Sequence, residues 1–164
     1  MSSPLRLLPF EQFMLLDDRP AYPMNFFVRV RFSGCLERAP FESAVRRAVA
    51  RHPLLCAVVR KSGSRWAWAP SDSPPAVRWN RDGSAEQPLS FQAIDLRQEP
   101  GLRLTVDQKD EAYDLWLQVH HACCDALGLL VFLTDFLHTW SQQRDDSLPE
   151  TGRVAFRDLV RAVG

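Results

Sequence analysis

From Tyr113 to His121 apolar and polar residues alternate, with Tyr113, Leu115, Leu117, Val119 and His121 on one face and Asp114, Trp116, Gln118 and His120 on the other. Strict alternation of this kind predicts a half-buried strand. From Asp125 to about Trp140 the pattern changes to a helix that is apolar nearly all round: Leu127, Leu129, Leu130, Val131, Phe132, Leu133, Phe136, Leu137 and Trp140. Such a helix must be buried in its own domain or covered by another. The two segments are joined by His120-His121-Ala122-Cys123-Cys124-Asp125-Ala126-Leu127-Gly128.

The rest of the chain reads as strands and helices in mixed order. Phe10 to Pro23 opens the domain as an irregular or partly helical segment. Phe26, Val28, Val30 and Phe32 share one face of a strand, and Arg29 and Arg31 the other. A helix is predicted from about Pro40 to Arg51, with Phe41, Ala44, Val45, Ala48 and Val49 as its apolar stripe. Proline suits a first helical turn, and His52-Pro53 stops the helix because the residue before a proline is driven out of the helical region. Leu55–Arg60 and Arg65–Ala69 form a hairpin about Ser62-Gly63-Ser64. A proline-rich loop leads to a short strand near Val77–Trp79, and Arg81 to Pro88 is a loop. Leu102–Asp107 pairs with Tyr113–His120 through a turn at Gln108–Ala112. Ser141–Gly152 is a polar loop and Val154–Val163 a final helix. The expected class is α/β (α+β), a mixed, mainly antiparallel sheet flanked by helices.

A chain of 164 residues suits one compact domain or half of a larger one. Its 46% hydrophobic residues, with ten Phe and five Trp, supply a core. Twenty basic and twenty acidic residues balance without like-charge blocks, so nothing points to nucleic acid or an anionic membrane surface. The N-terminus is too short and interrupted for a signal peptide, and no apolar run reaches the length of a membrane span. The four cysteines suggest no disulfide framework, since Cys123 and Cys124 are adjacent and Cys35 and Cys56 are distant. Reduced thiols in a cytoplasmic protein are the simplest account.

The His120–Gly128 stretch admits several chemistries. His121 is either a core histidine bonded to a backbone carbonyl or a general base, since desolvation favours the neutral imidazole that a base requires. Asp125 stands where the helix begins, as an N-cap or as the partner of an arginine bracing the turn; in neither role does it touch substrate. His120 alternates to the other face and shapes the turn. His120, His121, Cys123 and Cys124 place four potential metal ligands within five positions, but zinc ligands are spaced more widely and return from a second cluster, so no metal site is expected. Cys123 or Cys124 as a thiol nucleophile is disfavoured, because adjacent residues rarely aim at each other.

His120-His121-Ala122-Cys123-Cys124-Asp125-Ala126 resembles the HHxxxDG signature of the condensation-domain and acyltransferase superfamily, which includes chloramphenicol acetyltransferase. Phe32-Ser33-Gly34-Cys35-Leu36, the Ala44–Leu55 segment ending Arg51-His52-Pro53-Leu54-Leu55, and Pro100-Gly101-Leu102-Arg103-Leu104 are similar to flanking segments of these enzymes and fall in the same order. The resemblance implies two α/β lobes separated by a tunnel. It implies that His121 is the base that deprotonates or positions an alcohol or amine acceptor. That acceptor would attack an acyl thioester on coenzyme A or on the phosphopantetheine arm of a carrier protein. No permanently bound cofactor is implied, and the residues that would contact coenzyme A are not identified. Asp125 would be held in a structural salt bridge.

Three positions depart from the pattern. Ala126 replaces the signature glycine and is expected to narrow the space beside the histidine. Cys56 stands where an arginine often pairs with the signature aspartate, leaving Arg103 as the substitute. Family members are more than twice as long, so residues 1–164 resemble a single N-terminal lobe without its C-terminal partner. A lone lobe is expected to be inactive and to self-associate through an uncovered apolar face. The alternative is a catalytically degenerate binding or docking domain.

Overall fold

The computed structural model describes residues 5–34, 36–80, 92–109 and 112–144. In chain order the elements are β1 (Leu5–Arg6), α1 (Pro9–Asp17), β2 (Asn25–Ser33), α2 (Arg38–Val49), a 3₁₀ turn (Pro53–Cys56), β3 (Ala57–Ser62), β4 (Arg65–Pro70), β5 (Val77–Asn80), β6 (Leu102–Lys109), β7 (Ala112–His120) and α3 (Ala126–Arg144). The expected mixed, mainly antiparallel arrangement is divided between two sheets, ordered β2-β7-β6-β5 and β1-β4-β3. Among the described strands only β5 and β6 run parallel.

The larger sheet is organised by alternation along β7. Leu115, Leu117 and Val119, with Leu102, Leu104 and Val106 of β6, pack against Phe41, Val45 and Val49 of α2 and against Phe132 and Phe136 of α3. The stripe on α2 and the nearly all-apolar α3 thus cover one face of this sheet. The opposite face carries the polar half of the pattern: Arg31 pairs with buried Asp114 through two bonds of 2.7 and 2.9 Å, and Asn80 donates to Asp107. The smaller sheet has its own core, in which Val59 and Trp68 meet Leu15 of α1 together with Ile94, Leu96, Ala122 and Cys123.

Several boundaries differ from the sequence expectation. The segment Phe10 to Pro23 is partly helical as expected, but the helix begins one residue earlier, with Pro9 in its first turn and the Glu11 carboxylate accepting from Leu8 N–H at 2.7 Å. The third strand begins at Ala57, because Pro53 starts a 3₁₀ turn that uses Leu55 and Cys56. The α2 helix begins at Arg38 and ends at Val49. Strand β1 has no sequence signal of its own; two residues are too few to show a period, and it forms by pairing with β4. The loop expected from Ser141 begins as helix, since α3 continues to Arg144 without a breaking residue. The Arg81–Pro88 loop, the remainder of Ser141–Gly152 and the Val154–Val163 helix lie outside the described residues.

Candidate functional site

Strand β7 ends at His120, and His121 is the first residue of the turn that follows. The His121 ring nevertheless lies on the face that periodicity assigns to it, beside Phe26, which pairs with Val119 across the sheet. The His121 backbone N–H donates to Met24 C=O at 2.8 Å, and its ring lies against Phe26 with centroids 4.5 Å apart. The imidazole is half-buried and lines an open cleft of about 490 Å³. The core-histidine alternative does not apply to it.

His120 is the core histidine: its exposure is 0%. Its Nδ1 accepts from Ala122 N–H at 3.0 Å, and its carbonyl accepts from Cys123 N–H at 3.1 Å. Accepting at Nδ1 requires the proton of the neutral ring to sit on Nε2. That nitrogen faces Asp18 Oδ2 at 3.5 Å and makes no hydrogen bond among the described residues. Burial lowers the His120 pKa below its ordinary value, with Asp18 opposing. The His120 ring and carbonyl both accept backbone N–H groups of the turn.

The rest of the turn is wedged between the two cores. Ala122 and Cys123 belong to the small-sheet core, and Cys124 packs on the large one. The buried Cys123 sulfur lies against Gly101 so closely that a Cβ there would stand 2.0 Å from it. Burial pushes the Cys123 thiol up to about 12. Burial, then the Asp125 charge, pushes Cys124 up to about 11. Burial raises Cys56 as well. Since the thiolate is the nucleophile, these are poor ones. Among the described residues no three His, Cys, Asp or Glu side chains gather into a metal-ligand group.

Asp125 is the N-cap of α3: its Oδ1 accepts from Gly128 N–H at 2.7 Å. Among the described residues it forms no ion pair with an arginine. Arg103 does not supply one. Leu102 and Leu104 point toward the helices, and alternation sends Arg103 to the opposite face of the sheet. There both Glu99 carboxylate oxygens, the Gln92 carbonyl and Gln118 Oε1 occupy its guanidinium. Ala126 is exposed and does not line the cleft, so the expected crowding does not arise; Gly128 lines it instead. A Cβ at Gly128 would meet Cys124 Sγ at 3.0 Å and Asp125 Oδ1 at 3.3 Å.

The opposite wall of the cleft comes from Arg51-His52-Pro53-Leu54-Leu55, and Phe10 and Glu11 of α1 close one side. Two segments recognisable separately in the sequence thus face one space. His52 Nε2 is 3.0 Å from Asp135 Oδ2, Arg51 is 3.4 Å from the other oxygen of that carboxylate, and Phe132 meets the His52 ring edge-on. Sequence reasoning missed Asp18 and Asp135. Asp18 Oδ1 holds Met24 N–H at 2.8 Å, and Met24 C=O holds His121. No period or spacing signals a contact between residues 18 and 120.

No protein-family model and no curated protein matches the chain. Solved structures do. The X-domain from teicoplanin biosynthesis superposes with a TM-score of 0.75 at 21% identity over 99% of this chain and 38% of its own. The starter condensation domain of the rhizomide synthetase RzmA gives 0.75 at 15% identity over 99% and 43%. The first condensation domain of the CDA synthetase gives 0.72 at 17% over 99% and 46%. The chain spans less than half the length of each of these structures. No described helix is long and apolar enough to cross a membrane. The chain has the condensation-domain fold, of the chloramphenicol acetyltransferase-like type.

Proposed function

We propose that this chain is the histidine-bearing lobe of a condensation-type acyltransferase. The acceptor is an alcohol or amine, and the donor is an acyl thioester on coenzyme A or on a carrier protein's phosphopantetheine arm. His121 takes the acceptor's proton as its oxygen or nitrogen attacks the thioester carbon. The observation that supports this reading is the position of His121 in an open cleft, fixed through its backbone by Met24 and opposite the Arg51–Leu55 segment. A second lobe, absent from residues 1–164, would cover the exposed Leu8, Phe10, Phe13 and Leu16 beside that cleft.

The test is acyl transfer by the intact protein from octanoyl-CoA and from octanoyl carrier protein to hexylamine or hexanol. A general base contributes on the order of a hundred- to ten-thousand-fold, so His121→Ala should lose about that much. Undiminished turnover in the variant would remove His121 from the chemistry.

A second reading is a docking lobe that keeps the fold without the reaction. The unpaired state of Asp125 toward any described arginine favours it, as does the likeness to the teicoplanin X-domain, which has been solved in complex with OxyB. A wild-type protein that transfers nothing from either donor and binds a partner protein with the His121→Ala variant equally well would establish this reading instead.

A further inference from the structure

The cleft holds two histidines, and they are held differently. His121 is positioned through its backbone and against Phe26; among the described residues its ring has no hydrogen bond. His52 on the facing segment is positioned through its ring, with Nε2 held 3.0 Å from Asp135 Oδ2 and the ring edge fixed by Phe132. Asp135 is itself steadied by Arg51. A carboxylate on one imidazole nitrogen fixes the tautomer and leaves the other nitrogen for chemistry. For His52 that nitrogen is Nδ1, on a side chain that is 19% exposed and lines the cleft. This is the arrangement of a positioned proton carrier, and the base assigned to His121 leaves it without a role.

Acyl transfer from a thioester has two proton events. One proton leaves the attacking oxygen or nitrogen, and one reaches the departing sulfur. Resting on the acyl-transfer reading above, we infer that His52 is a second acid–base group of the cleft, serving the leaving sulfur while His121 serves the acceptor. In this step the acceptor atom bonds to the acyl carbon and gives its proton to His121. The carbon–sulfur bond breaks, its electron pair leaves on sulfur, and the His52 imidazolium delivers a proton from Nδ1 to that thiolate. Transfer of the proton from His121 through solvent to His52 restores both rings, and the net products are the acylated acceptor and the thiol.

The experiment compares two donors with the intact protein and hexylamine: octanoyl-CoA, whose alkyl thiol benefits from protonation as it leaves, and S-phenyl thiooctanoate, whose thiol leaves readily as the anion. His52→Gln keeps an N–H donor for Asp135 but has no acidic proton to transfer, and thermal melting checks that it folds. The expected result is a loss of about tenfold or more with octanoyl-CoA and within about twofold of wild type with the phenyl thioester. Asp135→Asn should show the same selectivity to a smaller extent. His121→Ala should slow both donors alike. Equal loss with both donors in His52→Gln, or no loss with either, would overturn the inference and leave the role of His121 standing. A wild-type protein that transfers from neither donor would remove both readings together.

Discussion

Asp18 Oδ2 stands 3.5 Å from Nε2 of the fully buried His120, while Asp18 Oδ1 accepts from Met24 N–H at 2.8 Å. One carboxylate therefore reaches both histidines of the motif, His120 through space and His121 through the Met24 carbonyl. Asp18 follows the end of α1, about a hundred residues earlier in the chain than the motif.

The buried, neutral state of His120 makes stability depend on pH. Its folded pKa lies below the ordinary value of 6.5, so on acidification the unfolded chain takes up a proton before the native one does. The unfolded state then binds more protons, and stability falls as pH drops below about 6.5 toward the folded pKa. The slope from this group is at most about 1.4 kcal/mol per pH unit. Urea unfolding midpoints from pH 7.5 to 5 should fall accordingly, and His120→Gln should flatten that part of the curve. An unchanged slope in the variant would assign the dependence to other groups.

Asp125 acts as a cap, so its loss should be felt as helix stability. Asp125→Ala should cost about 1 kcal/mol, and Asp125→Asn or Asp125→Ser should restore most of it, because either can accept from Gly128 N–H. Denaturant titration measures both. If Asp125→Asn were as damaging as Asp125→Ala, the charge and not the capping bond would be the important feature.

Gly101 and Cys123 form one packing unit. Gly101→Ala places a methyl 2.0 Å from Cys123 Sγ and 3.0 Å from Leu96 Cδ2, an overpacking expected to cost about 1–3 kcal/mol. Cys123→Ala removes the closest clash, so the double variant should be less destabilised than the sum of the two single ones. Additive costs would mean that Gly101 is needed for its backbone alone.

The N-terminal segment displays Leu8, Phe10, Phe13 and Leu16 at 64, 64, 56 and 61% exposure. Apolar side chains grouped in this way are typical of covered surfaces. Sedimentation of the isolated 164-residue chain should show self-association that Phe13→Lys with Leu16→Lys reduces, with little change in melting temperature. A monomer at all concentrations, with and without these changes, would count against a missing covering lobe.

Much of the large sheet was legible because its causes are local. Alternation in Phe26–Phe32, Leu102–Asp107 and Tyr113–His120 shows which side chains face the helices, and the Phe41–Val49 stripe shows which face of α2 answers them. The motif was legible for a different reason, its likeness to known segments. Periodicity showed the face of His121 but not where the strand stops: the residue sits in the following turn, with its ring on the Val119 face.

By itself the sequence determined most of the strands, the helices α2 and α3, and the turn carrying His120 and His121. Only the tertiary structure decided that His120 is buried and His121 open, that Arg103 faces away from Asp125, that Asp18 lies beside His120 and that Asp135 bonds His52. Residue pattern reports which side of its own element a side chain occupies, within a few neighbouring positions. It carries no record of which distant carboxylate that side meets. Pairings such as residues 18 with 120 and 52 with 135 arise only when separate elements pack, so they are properties of the fold.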